Sequence, residues 1–249
     1  MSQIDKTSAE QAKSRKMLLE LFKTSPIPDD QLLNNLGLYS RSSLTARLLH
    51  YYELYDLLLS STGIILIYGF GYGNAIISFL SLRAILEPYN YSRKIIGFES
   101  LKNSSELPYY SKNGDNFTSD KYEYFSQSRD YIDFLKQIID FHEDENIMSH
   151  IPKVEVYYND PVQDSKTTLK ACKDLKISLV YFDRVFVENI VDVLHELKPY
   201  VDNDTVICPS TINSYIPTGE LDACREVLGK NLQITKSKFI PDKAYIKIN

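Results

Sequence analysis

Cysteine is scarce in this chain of 249 residues. Cys172, Cys208 and Cys224 are odd in number, far apart and never in a C-x-x-C pair. That spacing gives no disulfide framework and leads us to expect reduced, buried thiols in a cytoplasmic protein. Basic residues are not in excess either: 28 Lys and Arg face 33 Asp and Glu, a formal net charge of -5. Phosphate backbones need a basic surface, so nucleic acid is not an expected partner. The four histidines show no H-x-x-x-H spacing. His50, His142, His150 and His195 read as structural side chains rather than bases. There is no G-x-S-x-G elbow, P-loop or internal repeat. Met1 to Lys16 is polar and lacks the apolar centre of a signal peptide. One long uncharged run exists, the 20 residues from Gly63 to Leu82. Four glycines, Asn74 and Ser78 divide it, and β-branched residues crowd its first half. It reads as strand, turn and buried helix, not as a membrane span.

Within that run stands the most informative stretch, Gly63-Ile-Ile-Leu-Ile-Tyr-Gly69-Phe-Gly71-Tyr-Gly73-Asn74. An Ile-rich strand ends in three glycines spaced two apart, and a second apolar segment follows. Without a Cβ in the way, such a turn lets backbone approach a nucleotide-like cofactor closely. Around it the chain alternates. Helical patterns cover residues 1–24, Asp29–Leu36 and Ser43–Leu59, a helical cap over residues 1–60. Strands are expected at Ile64–Tyr68, Lys94–Glu99, Val154–Tyr158, Ile177–Phe182, Thr205–Cys208, Leu232–Ser237 and Ala244–Ile248. Helices are expected at Asn74–Leu86, Tyr131–His142, Ser165–Lys173, Glu188–Leu197 and Gly219–Leu228. The last two strands are joined by a short turn, so they should form an antiparallel hairpin. The pattern predicts an α/β fold over residues 61–249: a doubly wound, seven-stranded, mostly parallel Rossmann-like sheet with an antiparallel edge hairpin. That ending matches the class I methyltransferase variant better than a dehydrogenase. A polar, Tyr- and Ser-rich insertion at 102–127 is too long for a plain connection and reads as a lid or substrate loop.

Open α/β sheets bind ligands beyond the carboxyl ends of their strands. The first such end offers Tyr68, Gly69, Gly71, Gly73 and Asn74, where glycine backbone and helix N–H groups could meet a cofactor; a plain tight turn is the alternative. The second offers Glu99, with Ser100 beside it. A carboxylate there could accept both hydroxyls of a ribose, or it could be a solvated strand-end acid. The third offers Asn159 and Asp160, suited to an adenine edge and equally to ordinary turn chemistry. The fourth offers Asp183, a catalytic acid or base, a cofactor contact, or a cap for the following helix.

Residues 27–248 resemble the TylF-like family, the macrocin O-methyltransferases and their relatives in sugar and polysaccharide biosynthesis. The resemblance is carried by Pro28-Asp29-Asp30-Gln31-Leu32-Leu33-Asn34-Asn35-Leu36-Gly37-Leu38-Tyr39, by Leu82-Arg83-Ala84-Ile85-Leu86-Glu87-Pro88-Tyr89-Asn90 and by Arg93-Lys94-Ile95-Ile96-Gly97-Phe98-Glu99-Ser100. Tyr181-Phe182-Asp183 and the segment from Gly219 to Gly229 continue it. It implies S-adenosylmethionine (SAM) as cofactor, S-adenosylhomocysteine (SAH) as product, and a glycan or small-molecule hydroxyl as acceptor. The chain departs from the family at acidic positions, which are here Ile67, Val185, Ser210 and Thr211. Relatives of the metal-dependent kind hold a cation at the last of these places, so no tightly bound metal is expected. Asp183 is then the expected base. The same departures leave a second reading open, a methyltransferase fold that has lost its chemistry and serves as a binding or assembly partner. Exposed N-terminal helices make a homodimer an expected assembly.

Overall fold

The computed structural model describes residues 8–100, 129–171, 176–183, 190–210, 219–229 and 232–248. The insertion at 102–127, Cys172, Val185 and Thr211 lie outside them. The strands are β1 (Ile64–Tyr68), β2 (Ile95–Phe98), β3 (Val154–Tyr157), β4 (Ile177–Phe182), β5 (Val206–Cys208), β6 (Gln233–Lys236) and β7 (Ala244–Lys247). Among the described residues they form one sheet in the order β3-β2-β1-β4-β5-β7-β6. The first five run parallel, and β7 is antiparallel to both β5 and β6. The expected sheet and its edge hairpin are therefore present. Strand order reverses between β1 and β4, and that switch point opens a crevice at their carboxyl ends.

β1 is apolar throughout because both of its faces are covered. Ile65 and Ile67 point to the layer of α3 (Ser42–Leu58), α4 (Asn74–Leu86) and α5 (Arg129–Asp144). Ile64, Leu66 and Tyr68 point to the layer of α6 (Pro161–Ala171), α7 (Ile190–Leu197) and α8 (Glu220–Leu228). On this second face an aromatic ladder crosses four strands. Tyr157, Phe98, Tyr68 and Phe182 stack with centroids 5.6, 5.0 and 5.3 Å apart. Each pair adds about 0.5–1.5 kcal/mol beyond its burial and holds the strand ends in line.

α3 is a full member of the first layer: Tyr51, Leu54, Tyr55 and Leu58 are buried against the sheet. By contrast α1 (Ala9–Lys23), which starts on a Ser8–Gln11 capping box, buries no residue. The helix expected over Asp29–Leu36 is shorter. α2 ends at Leu32 and a 3-10 helix runs from Leu33 to Tyr39. Asn34, Asn35 and Gly37 are poor α-helix formers, and no residue of this stretch is buried to offset that.

Two polar ties fix the layers. At the amino ends of the strands Arg93, 1% exposed, bonds Glu87 Oε2 at 2.6 Å, the Leu58 and Ser61 carbonyls at 2.9 Å and Ser178 Oγ at 2.9 Å. At the opposite side Glu53 and His50 of α3 grip the β6–β7 hairpin. Glu53 accepts Ser237 O–H at 2.7 Å and Lys238 N–H at 3.1 Å. His50 Nδ1 lies 2.9 Å from Ser237 Oγ, and its Nε2 lies 3.6 Å from Cys208 Sγ.

Candidate functional site

The switch-point crevice is floored by the glycine turn. Gly69, Gly71 and Gly73 have φ of +68°, +52° and +79°. A side chain at Gly73 would meet more than strain, since its Cβ would stand 2.6 Å from Leu135 Cδ1. The turn is closed by Gly73 N–H donating to the Phe70 carbonyl at 2.8 Å. α4 then begins at Asn74, with no side-chain cap on its first turn. Asn74 is exposed and its helix end faces the crevice cavity.

Glu99 follows β2 directly and is 7% exposed. Its Oε2 accepts Gly71 N–H at 2.7 Å and its Oε1 accepts Ser100 N–H at 3.1 Å. The carboxylate is thus locked against the glycine turn, and Ser100 helps to orient it through backbone. Next to it, Tyr158 sits edge-on to Phe70 at 5.4 Å. Its hydroxyl is buried with no hydrogen-bond partner among the described residues. Burial first, and then the neighbouring Glu99 and Tyr131, push the Tyr158 phenol above its usual range.

Asp183 ends β4 beside the turn, its N–H donating to the Tyr68 carbonyl at 3.0 Å. Tyr181 O–H donates to Asp183 Oδ1 at 3.3 Å. Asp183 lines a cavity of about 280 Å³ together with Phe70, Tyr72 and Asn74 from the turn. Tyr181, Arg47 of α3, and Ile240 and Lys243 of the hairpin complete the lining. Lys243 Nζ lies 5.1 Å from the centre of the Tyr181 ring.

Two of the expected contact residues have structural partners of their own. The Tyr68 side chain is fully buried in the aromatic ladder, and its hydroxyl pairs with Ser165 Oγ at 2.8 Å. Only its backbone reaches the crevice, because β1 alternates and residue 68 falls on the far face. Asp160 caps α6: its Oδ1 accepts the N–H groups of Val162 at 2.9 Å and Gln163 at 3.2 Å. The Asp160-Pro161 pair is cap and first-turn chemistry, the plain reading of that position.

Other polar positions resolve as structure. His50 is fully buried and held down at about 4, by burial first and then by the Lys243 cation, against the opposing pull of Glu53. Burial pushes the Cys208 and Cys224 thiols up to about 12, and both are free. Ser210, one of the departed acidic positions, donates to Glu220 at 2.7 Å through both N–H and O–H. Glu220 is fully buried at the start of α8. Ile67, on β1, is buried against the first helix layer. Among the described residues no three His, Cys, Asp or Glu side chains gather as metal ligands, and no helix is long and apolar enough to cross a membrane.

No family model and no curated protein matches the chain. Solved structures do. CalS11, a TDP-rhamnose 3'-O-methyltransferase of calicheamicin biosynthesis, matches in its apo form at 27% identity with a TM-score of 0.79, covering 96% of this chain and 95% of its own. A second CalS11 structure matches at 27% identity and a TM-score of 0.85, over 96% and 93% of the two chains. Over nearly its whole length the chain is similar to this class I O-methyltransferase. The O-methyltransferase NovP shares the fold of this methyltransferase at 13% identity, with a TM-score of 0.58 over 82% of this chain and 80% of its own.

Proposed function

We propose that this methyltransferase moves a methyl group from SAM to a hydroxyl of a sugar. One observation carries the reading: at the switch point, the positive-φ glycine turn and the Glu99 carboxylate meet at 2.7 Å. The whole-chain likeness to CalS11, whose name gives a sugar acceptor, supports it. The residues fit the cofactor. Gly71 and Gly73 give the turn the positive φ that brings backbone to the carboxyl end of β1, and Glu99 is an acceptor for ribose hydroxyls. The buried Tyr158 hydroxyl lacks a partner that a polar ligand would supply. When bound, SAM supplies an electrophilic methyl carbon.

Asp183 is the group in the cavity suited to take the acceptor's proton. Tyr181, bonded to Asp183 Oδ1, orients that carboxylate. Phe70 and the Tyr72 ring, which packs edge-on to Tyr131 at 5.2 Å, form the apolar wall that excludes water from the crevice. Asp183→Asn is expected to lower turnover of a sugar acceptor by at least about a hundredfold, the usual scale of a lost general base. Its SAH affinity should change by no more than about threefold. Wild-type-like turnover would remove Asp183 from that role, and failure of wild-type protein to bind SAH would remove the whole reading. The rival expectation, a fold without chemistry, gains no support from the comparisons.

The finer setting follows the same line. A homodimer is the assembly that fits the apolar surface of the N-terminal segment, where Met17, Leu33 and Leu38 are 63, 74 and 68% exposed. Sedimentation should give a dimer that Leu33→Lys with Leu38→Lys converts to monomer; a wild-type monomer at micromolar concentration would contradict it. Cytoplasmic location fits the free Cys208 and Cys224, and recovery of the native protein from a secreted or membrane fraction would overturn it. The family resemblance supports a place in polysaccharide biosynthesis, which intact surface glycans in a deletion strain would contradict. Net charge of -5 supports the absence of a nucleic-acid partner, and salt-sensitive retention on DNA or RNA would refute it.

A further inference from the structure

The glycine turn has a support that the strand ends do not supply. Gly69 N–H donates to the Phe98 carbonyl at 2.9 Å, Gly71 N–H to Glu99 at 2.7 Å and Gly73 N–H to the Phe70 carbonyl at 2.8 Å. Those three bonds come from the end of β2 and from the turn itself. The Tyr72 carbonyl is held from elsewhere: Tyr131 O–H, in the first turn of α5, donates to it at 2.9 Å. The two rings also meet edge-on at 5.2 Å, so Tyr131 grips Tyr72 by backbone and side chain together.

The grip is built along the whole of α5. Near its carboxyl end Glu143 Oε1 accepts the N–H groups of Lys153 at 2.7 Å and Val154 at 2.9 Å, which pins the helix to the start of β3. Leu135 and Ile139 are buried along its length, and Leu135 closes on Gly73. Tyr131, one turn before Leu135 on the same face, is thereby delivered to the turn. Its bond matters because of the residue next door. Gly73 has φ of +79°, and glycine adopts the opposite sign about as readily. The Tyr72–Gly73 peptide can therefore turn over with little backbone strain at residue 73. Two bonds oppose that rotation, Gly73 N–H to the Phe70 carbonyl and Tyr131 O–H to the Tyr72 carbonyl. Packing against Gly73 rests on Leu135, and Tyr131 itself is only partly buried. Helix docking thus keeps its apolar contacts when the hydroxyl alone is removed.

We propose that Tyr131 is a positioning residue for the cofactor: its hydroxyl locks the Tyr72–Gly73 peptide in the orientation that receives SAM. The proposal rests on the methyltransferase reading above. Tyr131 acts through Tyr72 and touches no reacting atom. A ligand that binds one orientation of a two-state turn loses apparent affinity in proportion to the protein held in the other. With the bond in place the receptive orientation dominates before the ligand arrives, and its loss lets the flipped one compete. The lock also bears on the acceptor side, since Tyr72 and Asn74, the two neighbours of Gly73, line the Asp183 cavity.

The test uses the full chain, SAH as the probe, and Tyr131→Phe, which keeps the ring on Tyr72 and deletes only the donor. Calorimetric titration should show the variant binding SAH about fivefold more weakly than wild type, the scale of one neutral hydrogen bond. Backbone amide NMR of the apo protein gives the readout that a merely structural hydroxyl would not move. Gly71 and Gly73 should each give one sharp signal in wild type and broadened or doubled signals in Tyr131→Phe. The amides of Ile139 and Glu143, further along α5, should stay in place, and saturating SAH should restore single glycine signals. An affinity within about twofold of wild type overturns the proposal, as do glycine signals that remain single and sharp in the apo variant. Displacement of the Ile139 and Glu143 signals together with the glycines also overturns it, because the hydroxyl would then serve helix docking. All three of those results leave the methyltransferase reading standing. Wild-type protein that binds no SAH fails at that earlier step and takes the lock with it.

Discussion

Replacing Tyr158 by Phe should strengthen the empty protein and weaken its hold on the cofactor. The hydroxyl is buried without a partner, while the ring packs edge-on to Phe70 at 5.4 Å. Phe keeps the ring and deletes only the oxygen. An unsatisfied buried hydroxyl costs about 1–3 kcal/mol, so removing it should raise apo stability by about 1 kcal/mol or more. In a domain of this size that is a rise of roughly 2–4 °C in Tm. Ligand binding should respond in the opposite sense. If the hydroxyl finds its partner on the ligand, its loss removes about 1 kcal/mol of binding, roughly a fivefold weaker SAH affinity. Urea unfolding of apo protein and titration with SAH read the two halves separately. A variant whose apo form loses more than about 1 kcal/mol while SAH affinity is unchanged would refute the reasoning, because the hydroxyl would then serve the fold.

Arg93→Met should lower stability by about 3–5 kcal/mol, since it strands Glu87 and several buried carbonyls. Urea unfolding checks this, and a loss under about 1 kcal/mol would show that the clamp is not needed. Stability should also fall on mild acidification because of His50. Its folded value of about 4 lies below the ordinary 6.5. Between those two values the unfolded chain binds a proton that the folded chain refuses. The contribution is therefore fully present above the unfolded value and drains away as pH falls, by about 3 kcal/mol on approaching pH 4. His50→Gln should flatten that part of the curve, and parallel curves for wild type and variant would contradict the assignment.

Strands β1 and β4 were legible to the residue, because runs such as Ile64–Tyr68 and Ile177–Phe182 are apolar without a break and bounded by polar or glycine residues. Helix starts were less so. α6 begins at Pro161 instead of Ser165, although Asp160-Pro161 carried the signal of a cap. Tyr68 was assigned by its neighbours in sequence, whereas strand alternation sends its ring to the opposite face. Nothing in the local pattern marked Glu220 as the buried partner of Ser210, which the fold brings to it across ten residues. Arg47 and Lys243 were invisible to pattern. One lies on a helix that reads as core packing, the other in a turn, and only the antiparallel return of β7 brings them to one cavity. Tyr158 was hidden likewise, as the end of an ordinary strand.

The placement of an adenosyl group on the glycine turn with its ribose at Glu99 meets its most direct test in titration of SAH into wild-type protein and Glu99→Ala. Wild type should bind one equivalent per chain. The variant, shown folded by its circular dichroism, should bind at least about tenfold more weakly, the scale of lost hydrogen bonds to a charged group. No heat of binding in wild type, or an unaltered affinity in Glu99→Ala, would contradict it.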